Sequence, residues 1–192
     1  MGEDSRILVS FNPNEKFERE MQAIIAALSV SDDQIQTAII RAINRVSDGL
    51  KNAASREIAR EMRIKLDIIK KRFRVFKAKK NKPNAMVSLF THSIPLILLD
   101  PKPYGKGLVT NTGDYYSGAF IARNVKRNKS EKLFDIAFKR QGRERYPLTQ
   151  VRYPIRTEAE RVMAKYAANV AAKLEERIIH ELKQIGGFFK DV

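Results

Sequence analysis

The spacing of apolar residues changes along the chain, and each change marks a different kind of element. Residues 5–11 (SRILVSF) are short, apolar and partly β-branched, the composition of a strand. Asn12 and Pro13 interrupt it. Phe17, Met21, Ile24, Ile25 and Leu28 then recur at the three-and-four spacing of one helix face over residues 14–29. A second helix is expected from Ser31, where Ser31 and Gln34 form an S-x-x-Q capping box. Its apolar stripe is Ile35, Ile39, Ala42, Ile43, Val46, Leu50, Ala53, Ala54 and Ile58. Arg41, Arg45, Asp48, Asn52, Arg56 and Arg60 fall on the opposite side. Gly49 costs about 1 kcal/mol relative to alanine and admits a kink in mid-helix. A bend near Arg63 and a shorter basic helix over residues 65–72 complete this half.

From Phe73 onward the period shortens. Residues 73–77, 85–90 and 94–99 read as strands, the last placed at an edge or started beyond Pro95, which lacks a ladder donor. Residues 100–113 hold two prolines and three glycines and read as a long loop. Residues 118–122 and 133–138 suggest a hairpin joined by the lysine-rich residues 124–132, and residues 148–153 one more strand. Thr157 and Glu160 make a second capping box, opening a long helix to Ile185. Along it Val162, Tyr166, Val170, Leu174, Ile178 and Leu182 repeat every fourth residue, widened by Met163, Ala167 and Ala171. Gly186-Gly187 supplies a stop, because glycine enters the left-handed region at little cost. The expected fold class is α+β: N-terminal helices, a central mostly antiparallel β-sheet, and a long C-terminal helix packed on the sheet. Residues 1–30 read as a strand-and-helix extension, 31–186 as one α+β domain and 187–192 as a short tail.

Charge changes the functional picture more than the fold. Lys and Arg number 37 against 22 Asp and Glu, a net charge of +15, which points to a polyanion or an acidic assembly surface as neighbour. The absence of cysteine excludes disulfides, thiolate metal sites and cysteine nucleophiles. No apolar run is long enough to span a bilayer, and residues 1–10 lack the basic n-region of a signal peptide, so a soluble, non-secreted protein is expected. The case for an enzyme is thin. His92 and His180 lie far apart without the partners a triad needs. Glu57 and Glu61 share a helix face but are too few for two-metal chemistry, and pairing with Arg60, Lys65 or a neighbouring chain suits them better. The Glu181-Leu182-Lys183 triplet is expected by chance in so charged a chain, and no phosphate-binding glycine loop is present. Neither catalytic residues nor cofactor nor metal ligands are assigned.

The positive charge is clustered. Between Arg63 and Lys82 stand ten cations against Asp67 alone, and from these Lys70, Lys71, Arg72, Arg74, Lys77, Lys79 and Lys80 are candidates for contact with DNA phosphates or an acidic partner. A second set holds Arg123, Lys126, Arg127 and Lys129, with Lys132, Lys139, Arg140, Arg143 and Arg145 following. Phe73 and Phe76 stand among the first set as stacking platforms would, although an alternating strand more often buries its aromatics.

Three patterns in this order carry a resemblance. They are Ala42-Ile43-Asn44-Arg45-Val46 with Arg56-Glu57-Ile58 and the basic short helix; Gly118-Ala119-Phe120-Ile121; and Arg140-x-Gly142-x-x-Arg145-Tyr146-Pro147-Leu148. Over residues 34–185 the chain resembles the minor tail protein Z, or tail completion, family of tailed bacteriophages. The resemblance implies a non-enzymatic virion protein acting at the head-proximal end of a long non-contractile tail, where tail and head join. Implied partners are other tail and neck proteins (tail terminator, head-completion or connector proteins) and further copies in a ring, sixfold favoured, with contact to genomic DNA open and no membrane. The implied location is the virion tail or neck, reached from the host cytoplasm. Read from the residues, Gly142 permits a tight turn, Pro147 fixes the entry to a strand and Tyr146 buries its ring. Asn44 and Arg45 tie the helix to the sheet, Gly118 and Ala119 allow close helix–sheet packing, and Arg140, Arg143 and Arg145 could hold an acidic subunit bidentately.

Overall fold

Strand β1 (Ser5–Ser10) and helix α1 (Glu15–Leu28) precede helix α2 (Asp32–Glu61) in the computed structural model, which describes residues 5–10, 15–28, 31–125 and 134–187. The Ser31 amide donates to Gln34 Oε1 at 2.9 Å, fixing the start of α2. The helix runs unbroken through Gly49 and buries Ala42, Ile43, Leu50, Ala54 and Ile58 of the predicted stripe, with Ala38 added, while Ile35, Ile39, Val46 and Ala53 are partly buried. It stops at Met62 because Arg63 turns left-handed (φ 53°). The Ile64 amide then reaches back to the Ala59 carbonyl and the Arg63 amide to the Arg60 carbonyl. Those two bonds make a Schellman stop with arginine in the place glycine usually takes.

Helix α3 (Leu66–Lys70) leads into β2 (Phe73–Phe76) and β3 (Asn84–Leu89). The first sheet has the order β1-β3-β2, all antiparallel, with Ser5 opposite Leu89 and Phe73 opposite Leu89 on the other side. Phe73, Ala85, Val87 and Leu89 alternate inward, and α2 covers them.

Five expectations need correction. Residues 94–99 are not one strand: β4 (Ile94–Pro95) is followed by a 3₁₀ turn, Leu96–Leu99. A 3₁₀ period of three sets Leu96 and Leu99 on one side, where both are fully buried. Residues 100–113 are not a long loop, since β5 (Lys102–Tyr104), β6 (Gly107–Val109) and β7 (Tyr115–Ser117) form an antiparallel meander across them. Strands β8 (Ala119–Val125) and β9 (Phe134–Arg140) make the expected hairpin. Residues 148–153 divide, however, into β10 (Leu148–Gln150), which extends β9, and β11 (Arg152–Tyr153), which pairs with β4.

The fourth correction is the C-terminal helix, which is two: α4 (Arg156–Ala167) and α5 (Val170–Gly187). Asn169 Nδ2 donates to the Lys165 carbonyl at 3.1 Å, a side-chain bond that competes with helix continuation. The Thr157 capping box is not formed either. Ile155 occupies the cap position without a side-chain bond, and Glu160 pairs instead with Arg156 at 2.8 Å. Val162, Met163, Val170, Leu174, Ile178 and Leu182 are buried, while Ala167 and Ala171 are exposed. Helix α5 packs along α2 and also meets α1, and α4 reaches α2 and β1. The chain is α+β, with α2 and α4 packed against the β1-β3-β2 sheet and three further small antiparallel sheets beside it.

Candidate partner-binding surfaces

The basic segment of residues 63–82 does not form one patch. Arg72 is half-buried and donates to the carbonyls of Phe90 (3.2 Å), Ser93 (3.4 Å) and His92. It ties the end of β3 to β4 and is a framework residue rather than a partner contact. Burial pulls its guanidinium pKa down from the ordinary value, with the Arg152 charge adding to the effect. Arg74 is exposed, its guanidinium 5.0 Å from the Phe90 ring centroid. Lys65 pairs with Asp100, Lys77 with Asp48 (3.0 Å) and Lys80 with Asp33 (2.6 Å). Exposed pairs of this kind contribute about 0–1 kcal/mol each, so they orient the lysines more than they neutralise them.

What these contacts build is a fixed basic turn. Asn44 Nδ2 donates to the Ala78 carbonyl at 3.1 Å, and Asn44 Oδ1 accepts from the Ala78 amide at 2.8 Å. The asparagine thus imitates a ladder partner for Ala78 and pins the chain after β2 onto α2. Lys79 and Lys82 exchange backbone bonds of 3.0 and 2.9 Å, and Gln36 Nε2 donates to the Lys80 carbonyl. Lys79 and Lys82 are exposed and form no ion pair among the described residues. Lys70 and Lys71 share that lack of a partner but lie at the other end of β2. Phe73 is buried in the core, whereas Phe76 is half exposed beside the turn.

The second basic set is divided as well. Ala119 faces Lys139 and Val125 faces Phe134 in the β8–β9 register, so Arg123 and Lys139–Arg140 belong to opposite ends of a hairpin roughly 20 Å long. Lys126, Arg127, Lys129 and Lys132 lie outside the described residues. At the near end the Arg140 guanidinium stands 5.6 Å from the Phe120 ring centroid, and Arg145 5.8 Å from that of Tyr146. Lys139, Arg140, Gln141, Thr149, Gln150 and Val151 line an open groove of about 420 Å³ there. Tyr146 is 64% exposed, so its ring is not buried as expected, because residues 141–147 leave the sheet without an element to cover them. Gly142 has open space around it and no left-handed φ, so the turn does not require glycine there. Pro147 follows a cis peptide and precedes β10. Gly118 does need its freedom (φ 70°), but for the corner between β7 and β8 rather than for helix packing. Ala119, beside it, is buried.

Carboxylates, two of them buried, tie the helices to one another. Glu181 is 2% exposed and accepts from Arg45 (2.7 Å) and Arg177 (2.9 Å), so Arg45 ties α2 to α5 and not to the sheet. Glu57 accepts from Lys165 Nζ (2.6 Å) and the Tyr166 hydroxyl (2.8 Å), and Glu61 pairs with Arg161 (2.6 Å). Their partners come from α4, not from Arg60 or Lys65. The Lys165 and Tyr166 bonds hold the Glu57 carboxyl below the usual range, and the same bond raises the Tyr166 hydroxyl. His180 is exposed at an open groove of about 380 Å³ lined also by Arg45, Lys173, Glu176 and Arg177. His92 is exposed and stacks near Phe90, with ring centroids 6.5 Å apart. Among the described residues no group of three or more His, Asp and Glu is placed to hold a metal ion.

Tyr104 and Tyr115, which carry no pattern that sequence reading singles out, come together on the meander with ring centroids 6.2 Å apart at an interplanar angle of 83°.

Residues 20–100 match the model of a family described as prophage minor tail protein Z (GPZ). The match begins within α1 and ends just after the 3₁₀ turn, so it contains α2, α3, the basic turn and β2–β4. The patterns at Gly118 and Arg140 lie beyond it, and its start falls inside the segment read as an extension. No curated protein and no solved structure matches the chain. Among the described residues no helix is long and apolar enough to cross a membrane. Over residues 20–100 the resemblance is therefore to the prophage minor tail protein Z family, whose name is that of a phage tail protein.

Proposed function

We propose that this chain is a structural component of a bacteriophage virion, working at the head-proximal end of the tail in tail completion and head–tail joining. The observation that supports this reading most is that the family match spans the segment carrying the pinned basic turn. Docking is the mechanism. A turn already fixed against α2 loses little conformational freedom when Lys79 and Lys82 meet carboxylates on a neck or tail partner. Several copies in a ring, sixfold by the symmetry of tails, multiply such modest contacts. Tail terminator, head-completion or connector proteins are the partners this reading names.

Deleting the gene and imaging the lysate tests it: filled heads and full-length tails that fail to join are expected, and normal infectious virions would refute it. A second reading, non-specific nucleic-acid binding through residues 63–82, draws on Phe76, half exposed beside the turn. Titrating the isolated protein with duplex DNA at rising salt separates the two. Tight binding with a steep salt slope supports the second reading, and weak binding supports the first.

A further inference from the structure

The β5–β6–β7 meander turns Leu108 and Tyr116 inward and carries two exposed tyrosines on its other face. Leu108 is buried and Tyr116 packs on the core, so the alternate positions point away. In the register Lys102 stands opposite Val109 and Val109 opposite Tyr115, while Tyr104 stands opposite Gly107 and Gly107 opposite Ser117. Tyr104 (68% exposed) and Tyr115 (50% exposed) therefore meet diagonally across Gly107. A Cβ on Gly107 would collide with the Tyr116 carbonyl oxygen and come within 3.0 Å of the Tyr115 ring and hydroxyl. The glycine is thus what lets the ring lie down on the strand. Two tyrosines seated on a rigid sheet and left in water are costly to solubility and typical of interface anchors.

Charge and ring geometry identify the occupant. Lys102 and Lys106 are exposed at the rim and form no ion pair among the described residues. The Gly118 amide bonds the Lys106 carbonyl at 2.8 Å, and the Lys139 stem passes 3.9 Å from the Cβ position of Gly118, so a third lysine adjoins the same corner. A second copy of a chain carrying +15 meets long-range repulsion at such a surface. Perpendicular rings in mutual contact offer no parallel slot for successive bases, which argues against a nucleic-acid strand. An acidic protein surface with an apolar centre satisfies both the tyrosines and the lysine rim.

We propose that the outer face of β5–β6–β7, centred on Tyr104 and Tyr115 and rimmed by Lys102, Lys106 and Lys139, docks an acidic, partly apolar segment of another protein. The inference names its partner by chemistry and does not depend on the tail assignment. The probe is a synthetic peptide of alternating glutamate and leucine, titrated into the full chain while backbone amide NMR shifts are followed. Saturable shifts confined to residues 102–118 and the Lys139 amide, and at least a tenfold loss of affinity in the Tyr104→Ala/Tyr115→Ala double variant with unchanged melting temperature, are expected. Lys102→Glu/Lys106→Glu, which leaves the rings in place, should lose affinity to a similar degree. No saturable binding, binding mapped to the turn at Lys79–Lys82 instead, or full affinity in both double variants would overturn the proposal. So would tyrosine-dependent binding of a single-stranded oligonucleotide to this face, or a dimer of the free chain that the tyrosine variants dissolve.

Discussion

Asn44 shows how much one side chain settles here. It supplies both the donor and the acceptor that buried Ala78 lacks, since no strand pairs with that residue. Truncation to Ala leaves an amide and a carbonyl unpartnered, and Asn44→Ala should lower stability by about 1–3 kcal/mol in urea denaturation. Because the same contact fixes the basic turn, amide exchange at residues 78–82 should quicken in that variant beyond the global loss. Glu57 gives a pH signature. Its folded pKa is depressed by hydrogen bonds from Lys165 and Tyr166, so its contribution is fully present above the ordinary carboxyl range of the unfolded chain. It disappears as pH falls through the folded value. Glu57→Gln should therefore be less stable than the parent near neutrality, with the gap closing in acid; a gap independent of pH would show that the carboxylate charge is immaterial. Arg72 and Lys71 are neighbours in sequence with opposite roles. Arg72→Ala should cost about 1–3 kcal/mol through three abandoned carbonyls, while Lys71→Glu, at an exposed position, should stay within about 0.5 kcal/mol.

Among the elements, length decided what could be foreseen. In α2 thirty residues repeat one period, so Ala42, Ile43, Leu50, Ala54 and Ile58 announce their buried face without help. The strands of the meander have three residues each, too few for alternation to show, and their prolines and glycines read as loop. The 3₁₀ turn at Leu96–Leu99 is apolar throughout, and a short apolar run carries no period of its own. The division between α4 and α5 depended on Asn169 bonding its own helix, in a sequence whose apolar repeat continues across it. Gly107→Val tests the meander as a unit. The added side chain must displace the Tyr116 carbonyl and the Tyr115 ring, so the β6–β7 pairing should loosen. Amide exchange at residues 107–117 should rise well before the rest of the molecule unfolds.

Across the whole molecule the clustered charge of the sequence becomes dispersed. The cations of residues 63–82 separate into a framework group, exemplified by Arg72, an oriented group, Lys77 and Lys80, and an exposed group, the candidates Lys71 and Lys79 with Lys82 beside them. The triple variant Lys71→Glu/Lys79→Glu/Lys82→Glu should fold with a melting temperature close to the parent and yet fail to complement a gene deletion. Retained infectivity would remove the basic turn from the docking mechanism.

By itself the sequence determined α1 and α2, the buried stripe of α2, the β8–β9 hairpin, the positive charge and a family resemblance, because each of these is written in neighbouring residues. The tertiary structure alone decided which charges face partners. Arg45 meets Glu181 across 136 positions and Lys165 meets Glu57 across 108, separations over which periodicity carries no information. A cation's role depends on whether folding brings a carboxylate, a carbonyl or only water within reach of it, and that follows from how α2, α4 and α5 pack.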